Sequence, residues 1–231
     1  MNMKDIKVVA FDADDTLWVN EPFFNEAEQQ FCILLEDYLT HQSISQILFK
    51  TQIDNLPLYG YGIKGFTLSM IEAAHTISRG TASIKIIDKI TKIGKELLTK
   101  PVELIDDVEE ILKELQNKYK LVVATKGDLK DQHRKLTKSG LGPYFHHIEV
   151  MTDKEEIDYQ KLLKRLDVNP EEFIMIGNSL RSDVLPVLEL GGHAVHVPFH
   201  TTWLHEHIEH PIIHDNFKSV KKLSEVKDLL L

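Results

Sequence analysis

Apolar residues change their spacing twice along this chain. The opening run Ile6, Val8, Val9, Ala10 and Phe11 is short, rich in β-branched residues and almost unbroken. That pattern predicts a strand buried on both faces of a parallel sheet. It stops at Asp12, Asp14 and Asp15. Over residues 26–98 the spacing becomes helical, through Phe31, Leu34, Leu35 and Leu39, then Ile44, Ile47 and Leu48, then Leu68, Ile71 and Ala74, and finally Ile86, Ile87, Ile90, Ile93 and Leu97. A helical block is predicted, interrupted by a flexible stretch at 57–65 that holds Pro57, Gly60, Gly62 and Gly65.

After Pro101 strands and helices alternate. Asp106 followed by Glu109 fits a capping box that opens a helix running to Leu115, and 121–124 reads as a second buried strand. A helix over about 128–139, a short strand near 148–151, a helix over 155–166, a strand at 173–176, a helix to about 190 and a strand at 194–197 follow; 223–231 predicts a final amphipathic helix. Parallel strands joined by helices make an α/β fold with a doubly wound, mostly parallel sheet, whose ligand site lies beyond the carboxyl ends of the strands. The expected partition is an α/β core from 1–17 and 100–231, with a small all-helical lobe from 18–99 leaving after the first strand.

Composition narrows the class. At 42% hydrophobic and 27% charged, the 231 residues suit a soluble globular protein. Thirty-six acidic against twenty-seven basic side chains leave a net charge of -9, a field that repels polyphosphate backbones, so no nucleic-acid partner is expected. No apolar run reaches the ~18 residues that cross a bilayer, and the first apolar stretch has no cleavage signature. No membrane partner is expected, and the cytoplasm is the expected compartment. The one cysteine, Cys32, has no internal disulfide partner and sits among Phe31, Ile33, Leu34 and Leu35, where it reads as buried filler.

The chemistry gathers at the strand ends. Asp12, Asp14 and Asp15, followed by Thr16, place three carboxyl groups at one terminus. At ~5 Å and an effective dielectric of ~20, two carboxylates repel by roughly 3 kcal/mol, so a fixed cluster calls for a divalent cation or a shared proton. Oxygen ligands of this kind suit magnesium. Alone, the aspartates fit a turn or a helix cap equally well. The second strand ends in Thr125, Lys126 and Gly127, a hydroxyl and a turn whose amides can approach an anion. Lys154 precedes the following helix, and 173–176 ends in Gly177, Asn178 and Ser179, with Asp183 beyond. Each feature alone is weak; all four in order are a strong signal. His193, His196, His200, His205, His207, His210 and His214 crowd the last forty residues, yet 205–209 misses the helical His-Glu-x-x-His pattern because position 209 is Glu. They read as scattered imidazoles, with His196 and His200 near the mouth of the last strand.

This constellation resembles the haloacid dehalogenase-like superfamily of phosphohydrolases, whose four motifs it matches in order. The segment 11–17, FDADDTL, carries most of the likeness. The resemblance implies a Rossmann-like core with a helical cap inserted after the first motif. It implies Asp12 as a nucleophile that forms an aspartyl-phosphate and Asp14 as general acid and base. Thr125 and Lys126 would bind the substrate, and Lys154 would orient the nucleophile and neutralise charge. Asp12, Asp14, Asn178 and Asp183 would hold Mg2+. The chain departs from the family in having Asn178 where most members carry Asp, and Lys126 and Lys161 compete with Lys154 for the third-motif role. In the cap, Lys64 with Tyr59, Tyr61 and Phe66 nearby is the expected reader of the leaving group; the plain alternative is a loop whose aromatics tuck into the lobe's core.

The residues carry their own logic. A carboxylate attacks a phosphate dianion only when a cation screens the repulsion, and Asp14 can protonate the leaving alkoxide and then activate water. An alanine at 14 would remove that relay, so its presence favours hydrolysis of a phosphate ester over the dehalogenase and phosphonatase branches. The expected function is magnesium-dependent hydrolysis of a small phosphorylated metabolite. A phosphomutase, a receiver-like module and a non-catalytic phosphate-binding scaffold are the alternatives; the long helical insert has no place in a receiver.

Overall fold

Alternate residues of β1 (Val8–Phe11) serve two different cores. Val9 and Phe11 join one apolar cluster, Val8 and Ala10 another, and all four are fully buried. The computed structural model describes residues 5–231, so the first four residues of the expected 1–17 core segment lie outside the described ones. β2 (Lys120–Lys126), β3 (His147–Met151), β4 (Phe173–Gly177), β5 (His193–His196) and β6 (Phe217–Ser219) complete a six-stranded sheet in the order β3-β2-β1-β4-β5-β6, every neighbour parallel. β6 is a strand the hydrophobic pattern does not announce: it has three residues, none buried, and too little apolar alternation to stand out.

Strand order reverses at β1, whose Phe11 lies opposite Val123 of β2 and Ile176 of β4. The residues that follow these three strands therefore emerge side by side at a topological switch point, where open α/β sheets form their ligand crevice.

The chain divides into two compact units. One comprises Met1–Glu21 (described from Asp5 on), Val102–Lys126 and Gln132–Leu231; the other comprises Pro22–Pro101 and Gly127–Asp131. The second unit is helical: α1 (Glu21–Leu34), α2 (His41–Tyr59), α3 (Ile63–Ile77) and α4 (Ile84–Thr99) enclose a core of Phe31, Cys32, Leu35, Ile44, Leu48, Met70 and Ile90. Thr40 caps α2 by accepting the Ser43 amide. The flexible stretch expected at 57–65 is shorter than its composition implies. α2 continues through Pro57, which sits in the last turn and removes only one donor there, and the break is confined to Gly60–Gly62, both of these glycines having positive φ. Phe66 is buried against Phe24, whereas Tyr59 is exposed and donates its hydroxyl to Glu72. Cys32 is buried as expected, and burial pushes its thiol up to about 11.

In the first unit, α5 (Val108–Leu115), α6 (Leu129–Ser139) from Gln132 on, α7 (Glu156–Leu166), α8 (Leu185–Glu189) and α9 (Val226–Leu230) cover the sheet. α5, Leu136 of α6 and α9 pack with Val9 and Phe11, and α7 and Val187 of α8 pack with Val8 and Ala10. Each Val or Ile buried this way contributes about 1.5–3 kcal/mol.

The expected capping box of Asp106 and Glu109 is absent. The N-cap is Asp107, held in left-handed backbone with no side-chain cap bond; a short polar side chain tolerates that conformation. A reciprocal box forms instead at α7, between Glu155 and Asp158. The expected helix ending near 190 is two pieces, a π-turn at Leu180–Val184 followed by α8, and the C-terminal helix begins as a 3-10 turn at Leu223–Glu225. No helix among the described residues is long and apolar enough to cross a membrane.

Candidate active site

Asp12 follows β1 directly, and its amide donates to the Ile176 carbonyl of β4 at 2.9 Å, which fixes the strand end. The Lys154 ammonium, arriving from the loop after β3, lies 2.5 Å from Asp12 Oδ1 and 2.6 Å from Asp183 Oδ1, with all three side chains buried. Asp183 belongs to the π-turn after β4, and its Oδ2 accepts the Ser179 amide at 2.9 Å. Gly177 makes this possible: a Cβ there would stand 2.2 Å from Asp183 Oδ2. Burial pushes the Asp12 carboxyl up, Lys154 draws it down, and the facing Asp183 and Asp14 push it up again, with a net rise. Burial opposes the charge of Lys154, but Asp12 and Asp183 outweigh it and hold the ammonium protonated above its ordinary value.

Asp14 is held by three donors. Oδ1 accepts from Trp18 Nε1 at 2.7 Å and Lys135 Nζ at 2.5 Å, and Oδ2 accepts from Gln132 Nε2 at 2.9 Å. Gln132 also donates to the Lys126 carbonyl, so its amide orientation is set by two acceptors. Asp15 has a different task. With φ 62° it turns back and accepts the amides of Asn20 and Glu21, capping α1, while burial pushes its carboxyl up to about 7. Of the three aspartates, this one takes the cap role that the sequence leaves open.

Thr16 Oγ1 stands 3.3 Å from Asp12 Oδ2 and 3.4 Å from the Asn178 side-chain oxygen, linking the first and fourth strand ends. Thr125 is buried at the end of β2, its hydroxyl 3.5 Å from the Lys126 carbonyl. The three competing lysines separate clearly. Lys154 reaches Asp12; Lys126 bonds Ser182 Oγ at 2.8 Å and Glu206 Oε1 at 2.6 Å; Lys161 is exposed and pairs with Asp158. Lys64 belongs to the helical unit, where it is half exposed and pairs with Asp128 at 2.8 Å. Burial raises the Asp128 carboxyl, but the Lys64 ammonium and the Asp131 and Lys130 amides leave it below its ordinary value. His196 stands 3.1 Å from the Asn178 carbonyl and 3.2 Å from Ser219 Oγ, and burial lowers its pKa; the His200 ring stacks on Phe199. Among the described residues no three His, Cys, Asp or Glu side chains form a ready metal cage.

The sequence does not single out Trp18, Gln132, Lys135 or Glu206. Gln132 and Lys135 stand three apart on α6 and so share a face, a signal present in the helical pattern; Glu206 lies among the histidines, where nothing local marks it.

Residues 6–191 match the sequence model of the haloacid dehalogenase-like hydrolases. The chain belongs to that family. A haloacid dehalogenase-like family hydrolase from Xanthomonas campestris superposes with a TM-score of 0.88 at 37% identity, covering 98% of this chain and 91% of that one. The N-acylneuraminate-9-phosphatase of Mus musculus is 23% identical over 202 residues, 83% of this chain and 82% of that protein. The match to the Homo sapiens enzyme of the same name is 25% over 125 residues, 52% of this chain, and spans 50% of that relative's length. A magnesium-bound haloacid dehalogenase-like hydrolase from Bacillus subtilis shares the fold, with TM-score 0.65, 19% identity and coverage of 98% and 99%. As a haloacid dehalogenase-like hydrolase, this chain brings Asp12, Lys154 and Asp183 together from three separate loops at the carboxyl edge of its sheet.

Proposed function

We propose that the protein is a magnesium-dependent phosphatase that hydrolyses a small organic phosphate monoester through an aspartyl-phosphate on Asp12. The observation that carries this reading is the Lys154 ammonium bridging Asp12 and Asp183, with Asp14 two residues from the nucleophile. The phosphatase names of the mammalian relatives support it.

The donors present fit magnesium. Asp12 and Asp183 bring two buried carboxylates against a single ammonium, leaving excess negative charge, and Asn178 adds a neutral oxygen linked to Asp12 through Thr16. Magnesium takes oxygen ligands and keeps several waters, so two carboxylates with substrate phosphate suffice. The Asp14 carboxylate, in contrast, already carries protein donors on both oxygens. Bound there, the metal supplies charge neutralisation to the phosphoryl group. Lys154 holds Asp12 Oδ1 and leaves Oδ2 beside Thr16 to attack phosphorus in line, breaking the bond to the leaving oxygen. Asp14 takes a proton from the water that cleaves the acyl phosphate and hands it to the leaving oxygen of the next ester, so that the relay balances over a full turnover. Thr125 turns its hydroxyl to a phosphoryl oxygen. The helical segment 18–99 serves as the cap on the 1–17 and 100–231 core, with Lys64 reading the leaving group.

Release of phosphate from p-nitrophenyl phosphate tests the reading. Hydrolysis should require magnesium, stop on chelation and vanish in Asp12→Asn. Full turnover in that variant would refute the covalent route, and label retained on sugar phosphates without free phosphate would favour a phosphomutase.

A further inference from the structure

We propose that Glu206 is a specificity-determining residue: its carboxylate fills an anion seat built by Lys126, Ser179 and Ser182, and so turns away phosphate esters that carry a second acidic group. The inference rests on the phosphatase reading and concerns which esters that site admits.

Donor bookkeeping shows that the seat is made for an anion. Lys126 Nζ donates to Glu206 Oε1 at 2.6 Å and to Ser182 Oγ at 2.8 Å, so the Ser182 hydroxyl proton is free to point at Glu206 Oε2, 2.6 Å away. The Ser179 hydroxyl accepts the Ser182 amide at 2.9 Å, and it too donates to Glu206 Oε2. Three donors thus converge on one carboxylate, and Asp153 lies a further 3.9 Å from the ammonium. Charge-assisted contacts of this kind are among the stronger hydrogen bonds in proteins.

The seat stands on the loops that carry the nucleophile's partners. Lys126 ends β2 next to Thr125, and Ser179 caps, and Ser182 belongs to, the turn that positions Asp183, whose carboxylate accepts the Ser179 amide. Glu206 itself comes from a 3-10 turn at Leu204–Glu206, 80 residues beyond Lys126. That turn has a second anchor: Arg181 donates to the His205 carbonyl at 3.0 Å. Neutralising Glu206 therefore leaves the Arg181 bond to the segment in place while taking away the carboxylate that lies nearest Lys126. The carboxyl is held at about 2 because Lys126 and the two serines outweigh the burial that would raise it, so the seat is filled at every working pH.

The test compares wild type, Glu206→Gln, the charge-retaining Glu206→Asp and the double variant Glu206→Gln with Lys126→Met. Substrates are p-nitrophenyl phosphate and phosphoglycolate, whose leaving group bears a carboxylate. Glu206→Gln should raise kcat/KM for phosphoglycolate relative to the aryl ester by about tenfold, the worth of one charge-assisted contact. Glu206→Asp and the double variant should keep the wild-type ratio. Malonate in metal-free buffer provides a readout without turnover: it should raise the melting temperature of Glu206→Gln by a few degrees and leave wild type and the double variant unmoved. An unchanged ratio and an unchanged malonate response in Glu206→Gln would overturn the inference and leave Glu206 as a tether for its turn. If no variant hydrolyses either ester, the phosphatase reading fails, while the malonate response still decides the seat.

Discussion

Lys135 Nζ lies 2.5 Å from Asp14 Oδ1, an ion pair joining α6 to the loop after β1 across 121 residues of sequence. Trp18 donates to the same oxygen and Gln132 to the other, so the carboxylate proposed as acid and base is oriented from three sides. Orientation of this sort matters because a proton relay works only at hydrogen-bond distance. Lys135→Met should lower kcat for p-nitrophenyl phosphate by about 10- to 100-fold, less than the ~10²–10⁴-fold an acid–base group itself supplies because Asp14 remains, and reshape the pH profile of kcat. Lys135→Arg should recover part of both. An unaltered profile in Lys135→Met would reduce the contact to a structural one.

Removing Lys154 should cost stability as well as activity. The ammonium is the charge partner of two buried carboxylates, so Lys154→Met leaves Asp12 and Asp183 facing each other without it. Loss of one partner from a buried pair costs about 3–5 kcal/mol. Urea denaturation in metal-free buffer should show that loss, and adding Asp12→Asn to Lys154→Met should restore part of it.

Glu206 predicts a pH-dependent share of stability. Its carboxyl is lowered from 4.5 to about 2 in the fold, so the unfolded chain binds the proton more readily. The ionised group contributes about 3 kcal/mol of stability above pH 4.5, lost as pH falls toward 2. The stability gap between wild type and Glu206→Gln, measured by urea titration, should narrow over that window and stay constant from pH 6 to 8.

Gly94 of α4 stands directly against Thr67 of α3. A Cβ there would stand 2.2 Å from Thr67 Oγ1 and 3.1 Å from Thr67 Cβ. Gly94→Ala should therefore destabilise by about 1–3 kcal/mol, against the gain of about 1 kcal/mol that alanine normally brings to a helix. A raised melting temperature would show that α3 yields.

Lys64→Ala separates surface charge from substrate choice. The Lys64 side chain is 56% exposed, and such a pair is worth at most about 1 kcal/mol. The melting temperature should barely move, while preference among phosphate esters should change more than hydrolysis of p-nitrophenyl phosphate. Equal losses on every ester would remove Lys64 from the selective role.

The chain by itself determined whatever depends on neighbours in sequence. The buried runs 8–11, 121–124 and 173–176 announce strands, and the polar residues after them are set at strand ends by chain order alone. Asp12, Thr125 and Asp183 were legible for that reason. Local chemistry also misleads: Pro57 and three glycines suggest a long flexible break, but a proline in a last turn costs one hydrogen bond and α2 continues to Tyr59. Tertiary structure alone decided who pairs with whom. Lys126 and Lys161 compete with Lys154 in the sequence, and only the fold separates them: the loop after β3 carries Lys154 to Asp12 and Asp183, which β1 and β4 place side by side. Lys135 and Glu206 find their partners 121 and 80 residues away, where pairing depends on strand order, which no local pattern encodes.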